Sequence, residues 1–178
     1  IDACQHDARF GLDDFDVFID ALANKKEIIV LSAPAVAANF PDYYLRINTW
    51  LKTLGVKAVF DVSLGAELTV KSYLHAMEEQ NLKHIIAQPC PALVSYIELY
   101  HKNLLPYLAP ADSPMMHTLK MVKEFYPQYK NPLFVFLSPC YAKKRELEVL
   151  STNALNVTFK SLDTYFKTNK IDLRTFDT

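Results

Sequence analysis

Leu133-Phe134-Val135-Phe136-Leu137-Ser138, running straight into Pro139-Cys140, is a near-continuous apolar run that stops at a proline. Such a run reads as a strand buried on both faces, the kind found in parallel sheets covered by helices. Moving outward, the same pattern recurs at Glu27–Ser32, Ala58–Val62, His84–Gln88 and Asn156–Lys160. Amphipathic stretches lie between these runs. Asp13–Asn24 has acidic residues in its first turn and apolar Phe15, Phe18, Ile19 and Leu22 at helical spacing. Glu67–Gln80 and Leu162–Lys170 carry similar stripes, while Ala92–Lys102 and Pro114–Tyr126 each have proline in or just before the first turn. Alternation of strand and helix predicts an α/β fold with a mostly parallel β-sheet of about four to five strands flanked by helices. Right-handed crossovers would gather the carboxyl ends of the strands at one edge, where open α/β sheets bind ligands.

Composition narrows the function classes. The chain has 178 residues, 51% hydrophobic, with 22% charged residues and a formal net charge of −1. No basic surplus argues for nucleic acid and no acidic tail for disorder. The longest apolar run, Ile28 to Ala38, is too short and too interrupted by Pro34 to span a bilayer. The opening IDACQHDARF lacks the basic and apolar regions of a signal peptide, and the absence of an initiator methionine suggests an excised piece. Three glycines leave no Gly-rich phosphate loop. The five histidines form no H-x-x-x-H or C-x-x-H pair, so a zinc site is not expected. Phe40, Tyr43, Tyr44 and Trp50, at roughly helical spacing, read as core rather than as a stacking platform for bases.

Three cysteines, at positions 4, 90 and 140, make no disulfide framework and fit a reducing, cytoplasmic setting. Cys140 follows the strand Leu133–Ser138, and Cys90, in Pro89-Cys90-Pro91, follows the predicted strand His84–Gln88. Glu27–Ser32 likewise ends in Ala33-Pro34. Two readings stand at this point. The thiols are small buried hydrophobes, the commoner case, or they are paired ligands at one sheet edge.

The order of these segments resembles the iron-only hydrogenases. Ala87-Gln88-Pro89-Cys90-Pro91-Ala92-Leu93-Val94 looks like the first signature of that family. Ser138-Pro139-Cys140-Tyr141-Ala142-Lys143-Lys144-Arg145-Glu146 resembles the second, P-C-x-x-K-x-x-E. Ala111-Asp112-Ser113-Pro114 resembles the family's S-P helix start, and Val59-Phe60-Asp61 through Gly65-Ala66-Glu67-Leu68-Thr69 its F-D stretch. The resemblance implies one lobe of a two-lobed domain with its catalytic cluster in the cleft between lobes, a [4Fe–4S] unit bridged to a di-iron centre. Cys90 and Cys140 would then be two of four cluster cysteines, thiolates being the usual ligands. Lys143 matches a lysine that hydrogen-bonds a cyanide on the di-iron unit. Glu146 would support the site by pairing with a cation, its plainer reading being a solvated helix charge. Ser113, Pro114, Ala33 and Pro34 match cavity-lining positions. Ile1-Asp2-Ala3-Cys4 resembles the end of a ferredoxin C-x-x-C-x-x-C-x-x-x-C run, cut just after its third cysteine, so residues 1–12 read as a remnant of an upstream electron-relay segment and 13–178 as the first lobe.

The resemblance also has gaps. The third signature, with the other two cluster cysteines, is missing, so these residues alone are expected to hold no cluster. Catalytic members carry a proton-relaying cysteine where this chain has Pro89, and their relay glutamates and serine fall near Tyr73, Ala76 and Ala109. General acid–base work needs a titratable group within reach. The leading expectation is therefore a divergent relative, sensing redox state or hydrogen or doing weak hydrogen chemistry in full length, inactive as this piece, with an electron carrier, a second lobe and a downstream signalling domain as partners. The alternative is a non-enzymatic iron–sulfur protein of the assembly or interaction type.

Overall fold

The computed structural model describes residues 11–178. In chain order the elements are α1 (Phe15–Ala23), β1 (Ile28–Ser32), α2 (Val36–Asn39), α3 (Tyr44–Thr53), β2 (Ala58–Asp61), α4 (Ser63–Glu79), α5 (Pro91–Tyr100), α6 (Pro114–Phe125), β3 (Leu133–Ser138), α7 (Lys143–Val149), β4 (Ala154–Thr158) and α8 (Phe159–Thr168). Short 3-10 turns occupy Lys102–Tyr107 and Leu173–Thr175. The four strands form one parallel sheet in the order β2-β1-β3-β4. The α/β class and the parallel sheet agree with the sequence pattern.

Burial explains why β1 and β3 are apolar up to their closing serines. They are the inner strands, paired from Ile28–Leu133 to Ser32–Leu137, and every residue of β1 is buried. The core continues into the helices through Phe18, Ile47, Leu51, Val122 and Leu162. Trp50 meets Phe166 edge-on at 4.8 Å, and Phe40 meets Phe159 and Phe166 at 6.2 and 6.1 Å. These T-shaped contacts are a favoured ring geometry. The aromatic cluster expected in the core is thus there for Phe40 and Trp50, while Tyr44 is exposed.

One strand assignment is corrected. His84–Gln88 joins no sheet; Ile86 makes a single parallel bridge to Leu108, its amide donating to the Tyr107 carbonyl at 2.6 Å and its carbonyl accepting from Ala109 at 2.9 Å. The neighbouring segment is a 3-10 turn that includes Pro106, which has no N–H to extend a ladder. Cys90 therefore follows a loop rather than a sheet strand, and the argument from strand ends holds for Cys140 alone. A smaller shift concerns β4, which ends at Thr158 because the Thr158 hydroxyl accepts the Ser161 amide at 3.2 Å and starts α8 there. Helix α4 starts four residues ahead of the predicted Glu67, since Asp61 accepts both the amide and the hydroxyl of Ser63 at 2.7 and 2.6 Å.

The outer edge of β4 is closed by two carboxylates. In a parallel ladder alternate residues bond to opposite sides, so Asn156 and Thr158 present their amides away from β3. Asp14 accepts the Asn156 amide at 2.9 Å and donates its own amide to the Asn156 carbonyl at 2.8 Å; Asp13 accepts the Thr158 amide at 2.8 Å. An edge covered in this way cannot template pairing with another chain. Lys144 pairs with Asp14 at 2.6 Å. The hydrogen bond to Asp14, more than the charge attraction, raises the Lys144 pKa above its ordinary 10.5, against an opposing push from burial. A lysine raised in the folded state stabilises the fold fully below its unfolded value and loses that contribution as pH climbs through its folded value. The urea midpoint is thus expected to fall above pH 10.5, and Lys144→Met to flatten that part of the profile.

Candidate functional site

Cys140 occupies the turn between β3 and α7 and is half-buried; Cys90 is the N-cap of α5, with extended backbone, and is exposed. Lys143 connects the two turns. Its amide donates to the Cys140 carbonyl at 3.4 Å, and its ammonium donates to the Pro89 carbonyl, one residue before Cys90, at 2.9 Å. Glu146 takes a second ammonium proton at 2.6 Å, and both side chains are 14% exposed. Glu146 thus pairs with a cation, and the cation is Lys143. Helices α5 and α7 are linked again by Arg145, which bonds the Ser95 hydroxyl and pairs with Glu98 at 3.0 Å. A cleft of about 180 Å³ lies between these helices, lined by Gln88, Pro91, Val94 and Val149 among others.

The remaining predicted positions fall around this pair of turns. Ala33 is buried and donates its amide to the Leu137 carbonyl at 2.9 Å, which sets the β1 turn beside the Cys140 turn; Pro34 is exposed. Ser113 is a buried N-cap accepting the Met116 amide at 3.4 Å, with Pro114 as the first residue of α6. The Gln88 side chain bonds the Ala111 carbonyl and so ties the Cys90 loop to the segment entering α6. Cys4 lies outside the described residues. Of the positions matching proton-relay groups, Ala76 and Ala109 are buried. The Tyr73 hydroxyl is buried beside the Gln88 main chain without a well-formed partner, and burial pushes its pKa up.

Sequence reasoning missed Ser138 and Asn156, both fully buried and both bonded around Cys140. The only signal was a polar residue closing an otherwise apolar strand.

Thiols suit an iron–sulfur cluster in chemistry, but Cys90 and Cys140 would supply two of the four ligands such a cluster takes. Among the described residues no group of three or more His, Cys, Asp or Glu side chains converges. The Lys143–Glu146 pair is sheltered enough to matter to stability. Lys143→Met strands the Glu146 carboxylate and is expected to cost about 1–3 kcal/mol. Adding Glu146→Gln should recover part of that loss, a coupling that urea denaturation of the two single variants and the double variant measures.

A family profile described as the C-terminal domain of the iron-only hydrogenase large subunit matches residues 26–178. The chain belongs to that hydrogenase-domain family. The mouse nuclear prelamin A recognition factor is 32% identical over 154 residues, covering 72% of this chain and 33% of that protein. Mouse cytosolic iron–sulfur assembly component 3 is 27% identical, over 71% of this chain and 32% of its own length. Iron hydrogenase 1 of Clostridium pasteurianum is 28% identical, over 71% and 25%. The hydrogenase-domain chain thus aligns with a quarter to a third of each of these relatives. Among the described residues no helix is long and apolar enough to cross a membrane.

Proposed function

We propose that this hydrogenase-family chain is one lobe of a non-enzymatic iron–sulfur protein, of the type that serves cytosolic iron–sulfur assembly. Cys90 and Cys140 supply two thiolates, and the second lobe supplies the rest. A bound [4Fe–4S] cluster would give a reversible one-electron site or a transferable cluster. The residues of this lobe hold the two ligand turns together: Lys143 joins them, Glu146 neutralises Lys143, and Gln88 pins the Cys90 loop.

One observation carries the reading. The turns that hold the thiols are joined, while the positions matching the family's proton relay hold Pro89, Ala76, Ala109 and a tyrosine whose pKa is raised. None of these moves a proton near neutral pH. Ligand-turn geometry without a proton path favours cluster holding over hydrogen turnover. Similarity to a protein named as a cytosolic iron–sulfur assembly component supports this reading and, with it, a cytoplasmic setting.

Hydrogen sensing, the leading expectation from the sequence, ranks second. Retention of Lys143 favours it, but two of the three ammonium protons are already taken by Pro89 and Glu146, leaving one for a di-iron cyanide. In that reading the partners are an upstream electron carrier and a downstream signalling domain. Depleting the full-length protein from cells and following radioactive iron discriminates the two. Reduced labelling of other iron–sulfur proteins is expected; unchanged labelling, with a response to hydrogen gas that disappears on depletion, would favour sensing.

A further inference from the structure

We propose that Ser138 and Asn156 are positioning residues that fix the main chain of Cys140 through a closed ring of hydrogen bonds. This deepens the cluster-holding reading and rests on it for its purpose, though not for its geometry. The Ser138 hydroxyl donates to Asn156 Oδ1 at 2.7 Å; Asn156 Nδ2 donates to the Cys140 carbonyl at 3.2 Å; the Cys140 amide donates back to Ser138 Oγ at 3.3 Å. Each member of the ring gives one proton and takes one, and only the second Asn156 Nδ2 proton lies outside it. Both side chains have no solvent exposure. Buried networks of this kind rigidify when every member is satisfied and are costly when one is removed.

The ring sits where a ligand most needs support. Pro139 gives the turn no amide and is exposed, so the residue that bends the chain toward Cys140 contributes no hydrogen bond of its own from nitrogen. Without Ser138 and Asn156, the Cys140 carbonyl would keep the Lys143 amide at 3.4 Å as its partner, a long bond. The ring also reaches outward. Asn156 is held through both main-chain groups by Asp14, and Asp14 is held by Lys144 at 2.6 Å, on the helix that follows Cys140. The chain entering α1 is thereby fastened to the strand that carries Asn156. Among the described residues Cys90 has no such ring; its loop is pinned by side chains reaching neighbouring carbonyls, at Pro89 and Ala111.

Alkylation kinetics of the intact full-length polypeptide, kept anaerobic and free of cluster, test the proposal. Iodoacetamide labelling followed by peptide mapping reports Cys140 and Cys90 separately. Ser138→Ala removes an acceptor and a donor from the ring and is expected to raise the Cys140 rate about fivefold relative to Cys90, the equivalent of one lost net hydrogen bond. Asn156→Leu is expected to act in the same direction, and Ser138→Thr, which keeps the hydroxyl, to restore the unaltered ratio. A structural role alone would raise both rates together and lower the melting temperature without rescue by Thr. An unchanged ratio in a folded Ser138→Ala chain would overturn the proposal. Should neither Ser138→Ala nor Asn156→Leu fold, amide hydrogen exchange of the unaltered chain decides: a slowly exchanging Cys140 amide is expected, and exchange at the rate of an open loop would overturn the ring. Because the labelling uses cluster-free protein, failure to load iron would count against the cluster-holding reading and leave this one standing.

Discussion

Cys140→Ser in the full-length protein is expected to reduce cluster content at least about tenfold, with iron and acid-labile sulfide falling together. Thiolate is the ligand iron–sulfur clusters are built on, and a hydroxyl at the same place is a far poorer one near neutral pH. The fold should survive. Cys140 is half-buried, its main chain rather than its sulfur carries the hydrogen bonds of the turn, and serine differs from cysteine by one atom. Circular dichroism and the melting temperature are therefore expected to stay close to those of the unaltered protein. That separation is what gives the prediction content: a thiol that only packs would be lost with a small stability change and no change in iron. Cys90→Ser should behave in the same way, since Cys90 is exposed and packs even less.

Gly65→Ala is expected to be the most disruptive small substitution, at about 3 kcal/mol. In an ordinary helix interior the change would stabilise by up to about 1 kcal/mol. Here α4 crosses α6 with Gly65 against the first turn of the other helix, and a Cβ would fall inside the contact distance of the Pro114 carbonyl and the Thr118 hydroxyl. The carbonyl is main chain and accepts the Thr118 hydroxyl at 2.9 Å, so neither obstacle can swing aside cheaply. Thr69 fastens the same crossing, donating to the Gly65 carbonyl at 2.9 Å and lying 3.3 Å from that of Asp112. Relief requires the helices to separate, at an overpacking cost of about 4 kcal/mol, above the usual range of roughly 1–3 because the obstacle is main chain, and the helix-propensity gain of up to about 1 kcal/mol offsets part of it. The shift would be passed to Ser113 and Pro114. Gly55 is the control: it ends α3 with φ of +95° and nothing near its missing Cβ, so Gly55→Ala should cost only about 1 kcal/mol of backbone strain. Urea denaturation of both variants measures the contrast.

The parts of this fold that could be read in advance are those whose signal is local. β3 was bounded correctly because five apolar residues and a serine end at Pro139, and the start of α6 because Ser113-Pro114 is both a cap and a first turn. His84–Gln88 has the same local signature as a strand, yet whether it pairs depends on a segment twenty residues away, where Pro106 and a 3-10 turn prevent a ladder. Helix α3 was hard to see because Arg46, Asn48 and Lys52 interrupt its apolar residues, and only Ile47, Trp50 and Leu51 are buried. At the site, Cys90, Cys140, Lys143 and Glu146 stand out through short motifs. Ser138 and Asn156 do not, because eighteen residues separate them and only the parallel register of β3 with β4 brings them together.

Spectroscopy of the full-length protein, isolated without oxygen, bears most directly on the central claim. Electron paramagnetic resonance of the reduced protein is expected to show a [4Fe–4S] signal that disappears in Cys140→Ser, and infrared spectra to show no carbonyl or cyanide bands. Carbonyl and cyanide bands together with exchange between hydrogen and deuterium gas would contradict the non-enzymatic account, and absence of any iron–sulfur signal would contradict cluster holding itself.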